Sequence, residues 1–342
     1  MVEPDDPSLG LRPLVFEPSY VPATLWGVSE ATQPVASRRR VVLTVAGLGA
    51  LVGCSRLTDP VVHGTNPAGG APVAEPEPRW VEAASQIQTY RAAALTGPDG
   101  SWRSGATNLL DRHLAVVTAP HPLEGNPSPS AWSTPSATTS PGDAAASAAE
   151  AIAGHRARCV AADPGAEAML WAALTVATEC LERSRTGKGT VATNPPRGGG
   201  RLGQLTLGSA THTQNVLLGH LHKLAQLLEL GVGAAEGAAE APFARRLDQV
   251  RLEVTQTQAR IRRLKGDPVA PLPGYRYPGP VTTPAQISEV WTTVEADLVN
   301  AWGPVVGSAA ASDRPALLQA MSAQAVLAQG RGGPVGAFPG WV

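Results

Sequence analysis

The stretch 242–264 carries Phe243, Leu247, Val250, Val254, Thr257, Ile261 and Leu264 at alternating steps of four and three. An α-helix brings such positions onto one side, whereas a strand would scatter them over both faces. A helix with a single apolar stripe must bury it against another element. The pattern recurs in three neighbours. Residues 209–230 place Leu217, Leu221, Leu224 and Leu228 on one face. A helix opening at Thr283-Pro284-Ala285-Gln286, a capping-box pattern with Pro in the first turn, carries Ile287, Val290, Trp291, Val294, Leu298 and Trp302. A last helix follows Ser312-Asp313 and turns Leu317, Leu318, Met321, Ala325 and Ala328 inward. Four stripes that can bury only against one another predict a four-helix bundle over 203–342.

Upstream, helices are expected at 79–95, at 104–118, from an Asp143 N-cap to 162, and from Asp163-Pro164 (N-cap and first position) to 184. The chain is alanine-rich and only 4% aromatic, which favours helices over strands and makes the expected class all-α. A Pro/Ser/Thr-rich loop fills 119–142. A Gly/Pro-rich break at 186–201 separates a helical region, 79–185, from the bundle.

The N-terminal end reads as an address. Arg38, Arg39 and Arg40 precede a short apolar run, Val41 to Gly53, that ends at Cys54. The run suits a signal-peptide core and is short for a spanning helix. Leu51-Val52-Gly53-Cys54 resembles the lipobox of bacterial lipoproteins, in which the cysteine is lipidated and becomes the mature first residue. Ser37-Arg38-Arg39 resembles a twin-arginine export signal. These resemblances imply an exported protein held by Cys54 at the outer face of the cytoplasmic membrane. Residues 1–36 are expected to be disordered and absent from the mature protein, with translation starting at Met1 or downstream near Val28 or Val35. Residues 55–78 form a Pro/Gly-rich tether with a reach on the order of 25–30 Å.

The run Pro271-Leu272-Pro273-Gly274-Tyr275-Arg276-Tyr277-Pro278, then Val281-Thr282, Glu295, Ala301-Trp302 and the closing Ala337-Phe338-Pro339-Gly340-Trp341 are similar to a ferritin-like domain of unknown function from actinobacterial exported proteins. The resemblance covers 242–341. A ferritin-like bundle implies a di-iron site built from Glu on two helices and Glu-x-x-His on two others. This chain has no Glu-x-x-His and only fragments of the carboxylate set, in Glu229, Glu253, Glu289 and Glu295. No metal or other cofactor is therefore expected.

The remaining candidates are weak. His220 and His222 point about 200° apart on a helix, and His212 lies two turns from His220, so they make no joint metal site. His113 and His155 could meet across two helices, with Glu82 and Glu150 as conceivable partners. The sequence has no Gly-x-Ser-x-Gly elbow and no phosphate-binding glycine loop, hence no assigned catalytic residue. Cys159 and Cys180 are expected as buried free thiols. In a straight hairpin the residue opposite Cys180 is near Ser147, which leaves Cys159 about 18 Å away along its helix. Arg245, Arg246, Arg251, Arg260, Arg262, Arg263 and Lys265, against Asp248 and Glu253, are expected on a solvated outer helix face able to meet anionic headgroups or an acidic partner. With a net charge of −1 there is no field to hold nucleic acid.

The expected function is a non-catalytic envelope lipoprotein whose helices bind an envelope protein partner. The alternative is a metal-dependent ferritin-like oxidoreductase. In cells fed a palmitate analogue, the wild-type chain should take up label and fractionate with membranes, and Cys54→Ser should lose both. Arg38→Lys with Arg39→Lys should keep the chain inside the cell. Labelling that persists in Cys54→Ser would rule out the lipobox assignment.

Overall fold

The computed structural model describes residues 77–96, 100–119, 122–123, 143–189, 207–333 and 335–341. Cys54, Arg38 and Arg39, the tether up to residue 76 and most of the 119–142 loop lie outside the described residues. Those described form eight α-helices and no strand: α1 (Pro78–Thr96), α2 (Ser101–Val117), α3 (Ala144–Ala161), α4 (Ala166–Arg185), α5 (Ala210–Ala234), α6 (Ala241–Arg263), α7 (Pro284–Ser308) and α8 (Arg314–Gly330).

Local chemistry sets several of the ends. The Asp143 carboxylate accepts from the Ala145 amide at 3.1 Å and caps α3. Thr283 and Gln286 form the expected reciprocal capping box of α7. The start of α4 differs from the expected Asp163 cap, because the helix begins at Ala166. Tertiary bonds hold the preceding turn extended. The Gly165 amide donates to the Gly307 carbonyl of α7 at 2.8 Å, and the fully buried Arg314 guanidinium binds the Ala162 carbonyl.

The organising helix is α4. Every residue from Ala168 to Thr178 is buried, so it has no solvent face along that stretch. An apolar helix buried all round must be wrapped by others; here α3, α7, α8 and α2 pack around it. Its two interior hydroxyls are satisfied locally, Thr175 on the Trp171 carbonyl at 2.8 Å and Thr178 on the Leu174 carbonyl at 2.7 Å. The two helical regions on either side of 186–201 therefore share one hydrophobic core, running from Trp80 to Phe338. Arg314 adds a polar latch between them, donating to the Cys159 carbonyl at 2.9 Å and the Ala309 carbonyl at 3.0 Å.

Within the C-terminal part, α5 packs against both α6 and α7, and α7 against α8. The predicted stripes of α5, α7 and α8 are all buried. Among the described residues the fourth side of this square is open, because the α6 backbone comes close to no other α-helix than α5. The gap between α6 and α8 is spanned by long side chains. The closing segment folds back on α7, where a Cβ on Gly303 would come within 2.5 Å of the Gly340 Cα, and Gly340 adopts φ +90°. That close approach admits only glycine at both positions.

Candidate functional site

Three inward positions face one another across the open side of the bundle: Arg246 on α6, Glu295 on α7 and Gln324 on α8. Each falls among the apolar residues of its own stripe, Arg246 beside Leu247, Glu295 one turn after Trp291, and Gln324 one turn after Met321. All three are buried, Glu295 completely. Arg246 grips Glu295 in a bidentate pair, Nε to Oε1 at 2.8 Å and Nη2 to Oε2 at 3.1 Å. The indole N–H of Trp291 donates to Oε1 at 2.7 Å, and the Gln324 amide donates to Oε2 at 2.5 Å. Arg246 also donates to the Gln324 Oε1 at 3.1 Å and to the Glu253 Oε1 at 2.7 Å. The Arg331 guanidinium lies on the Trp291 ring.

This corrects one expectation. Arg246 does not belong to the solvated outer face of α6, because it is the interior cation. Burial alone would raise the Glu295 carboxyl, but the bonds from Arg246, Gln324 and Trp291 outweigh it and hold the group below its ordinary value. Burial pulls the Arg331 guanidinium down to about 10, against the attraction of Glu295. Two cations and two carboxylates thus make a cluster that is neutral as a whole.

Above it lies a cleft of about 140 Å³ between α6 and α8, bordered by Gln256, Thr257, Arg260, Trp302 and Leu327. The Arg260 guanidinium stands over the Trp302 ring, 5.9 Å from its centre.

A di-iron centre, as the resemblance implies, does not fit these residues. The inward carboxylate of α7 is committed to an arginine, a glutamine and a tryptophan, and among the described residues no three His, Cys, Asp or Glu converge as metal ligands would. The histidines of α5 stay apart, His212 exposed, His220 half-buried and His222 buried.

His113 and His155 are both fully buried near one another, at the junction of α2, α3 and α4 with the closing segment. His113 donates from Nε2 to the Ala337 carbonyl at 2.7 Å, and its ring meets Phe338 at 5.2 Å. His155 lies against Trp171, which in turn stacks on Trp80. The conceived partners are elsewhere: Glu82 pairs with Arg158 and Glu150 is exposed. Burial lowers the His113 imidazole to about 4, with Arg112 adding to the shift. Burial also lowers His155 well below its usual range, with His113 and Arg158 adding to it. Cys159 and Cys180 are free buried thiols, pushed up by burial to about 11 and about 12.

Residues 229–342 match a family model described as a domain of unknown function (DUF4439). The match takes in the end of α5, all of α6 to α8 and the closing segment, and it contains the stretch whose motifs carry the resemblance read from sequence. The whole charge cluster and the cleft fall inside it. No curated protein matches the chain, and no solved structure does.

Two outcomes follow. Glu295→Gln leaves the buried Arg246 with only the half-buried Glu253 as a charge partner and should lower unfolding free energy by about 3 kcal/mol in urea titrations. Arg246→Met with Glu295→Leu removes both charges and should recover most of that loss; equal damage in the double variant would show that the pair is not the coupled unit. For the histidines, the folded-state value lies below the unfolded 6.5, so the unfolded chain binds protons first. Stability should be full above pH 6.5 and fall between 6.5 and about 4, by roughly 3 kcal/mol for His113 alone. His113→Gln should flatten that limb of the stability profile.

Proposed function

We propose that this protein is a non-catalytic lipoprotein of the cell envelope, exported through the signal at Arg38 and Arg39 and anchored by Cys54. On this reading its helical body is an interaction module for an envelope partner. The observation that carries it is the state of Glu295. A ferritin-like oxidoreductase needs inward carboxylates free to bind metal. Here the inward carboxylate of α7 is fully hydrogen-bonded to Arg246, Gln324 and Trp291. A cation fixed by the fold occupies the place where ligands would have to converge. The other interior titratable groups are similarly quiet, since burial favours neutral imidazoles at His113 and His155 and protonated thiols at Cys159 and Cys180. A thiol held protonated is a poor nucleophile and a poor metal ligand.

What the bundle does offer outward is its open side. The α6–α8 cleft is lined by the exposed Gln256 amide and the half-buried Arg260 guanidinium, with the buried Trp302 indole beneath Arg260. Recognition surfaces commonly combine such groups.

Elemental analysis of the full-length purified protein is the deciding measurement. The expected result is substoichiometric iron and manganese, unchanged in Glu295→Gln. About one or two equivalents of either metal, lost on that substitution, would overturn the reading in favour of a metal-dependent oxidoreductase.

A further inference from the structure

The C-terminal end of α6 and the segment after it concentrate charge of one sign. From Arg260 to Thr283 the cations are Arg260, Arg262, Arg263, Lys265 and Arg276, and the only carboxylate is Asp267. Arg262, Arg263 and Lys265 are exposed, and none of them has an ion-pair partner among the described residues. Arg260 is half-buried, and its guanidinium is lowered by desolvation and by the charge of Arg263, against a weaker pull from Asp313. Cations at a helix C-terminus complement the helix dipole. The dipole does not account for what lies among them. Leu264 is 43% exposed, Val269 41% and Leu272 59%, and Val216 of α5 is 44% exposed.

These aliphatic side chains are held out by a fixed backbone. The Asn215 side chain clamps the segment at two points, donating to the Asp267 carbonyl at 3.1 Å and accepting from the Val269 amide at 2.9 Å. The Leu272 amide donates to the Tyr275 hydroxyl at 3.0 Å, and the Tyr275 amide to the Gln226 side chain at 3.2 Å. The Tyr277 hydroxyl donates to the Lys223 carbonyl at 3.1 Å. The tyrosines pin the segment, and the groups left outward are aliphatic carbons and cations, with Asp267 the one exposed carboxylate among them.

We propose that this end of the bundle docks on an anionic membrane surface, with Arg262, Arg263 and Lys265 meeting lipid phosphates and Leu264, Val269 and Leu272 entering the headgroup boundary. Cations flanking short aliphatic side chains are the pattern of an interfacial contact. Protein interfaces are enriched in aromatic residues and Arg and depleted in Lys; this patch has no exposed aromatic side chain and carries the exposed Lys265, which favours the lipid surface. The proposal extends the envelope reading, in which a tether of residues 55–78 keeps the body within reach of the bilayer, but its test does not depend on the anchor.

The test is co-sedimentation of the full chain carrying Cys54→Ser, so that no acyl group contributes. The vesicles are phosphatidylcholine alone or phosphatidylcholine with phosphatidylglycerol. Binding is expected only to the phosphatidylglycerol vesicles, falling as NaCl rises. Arg262→Gln with Arg263→Gln should weaken it at least about tenfold. Leu272→Asp should weaken it too, and circular dichroism should be unchanged because all three positions are exposed. No binding to anionic vesicles at low salt would overturn the proposal, as would equal binding to neutral ones or undiminished binding of the double variant. Tighter association with soluble polyglutamate than with the vesicles would also overturn it, reassigning the patch to an acidic polypeptide. Acylation at Cys54 is read separately, by palmitate labelling, so a failed anchor and a failed docking face give different results.

Discussion

The arrangement rests on the burial of α4 over its whole circumference. From Ala168 to Thr178 it has no face that water can wet, so the helices on either side of it must close in. That requirement merges the N-terminal helices with the C-terminal bundle. It also explains why the close contacts fall where they do: Gly307 of α7 would place a Cβ 2.8 Å from that of Met169, and Arg314 ties the end of α3 to the end of α7. Small residues set how near the helices come, and the Arg314 guanidinium is held by carbonyls at the ends of α3 and α7.

The second constraint is the charge pair inside the bundle. A buried carboxylate is stable only when its lone pairs are filled and its charge is matched. Glu295 meets both conditions through Arg246, Gln324 and Trp291, which bring three helices to one point. The same long side chains fill the space between α6 and α8, where the backbones do not approach. The open side of the bundle and its polar floor therefore have one cause, since side chains that reach across a gap need the gap to be there.

The closing segment unites the two features. Gly340 abuts Gly303 of α7, and Ala337 and Phe338 meet His113 of α2. The run of residues 337–341 noted in the sequence is thus a seal between the bundle and the helices before it. Its residues follow from that: Gly340 for the close contact with Gly303, the Ala337 carbonyl for a buried imidazole and the Phe338 ring to cover it.

By itself the sequence determined the all-helical class, the stripes of α5, α7 and α8, and the capping box at Thr283, because these depend on residues within one or two turns of each other. The inward placement of Arg246, Glu295 and Gln324 was legible in part. Each interrupts an apolar stripe at an inward step, and a basic, an acidic and an amide residue on three stripes form a possible set. Arg245, Arg246 and Arg251 look alike in one dimension; only the position of α7 and α8 separates Arg246, which meets a buried carboxylate, from Arg251, which pairs with the exposed Glu229. The start of α4 was shifted from Asp163 by bonds to Gly307 and Arg314, which lie more than a hundred residues away in the chain. Whether the two helical regions would share a core was likewise decided by tertiary structure. Local periodicity says which face of a helix is apolar, but the partner of that face is chosen by packing among all the helices at once.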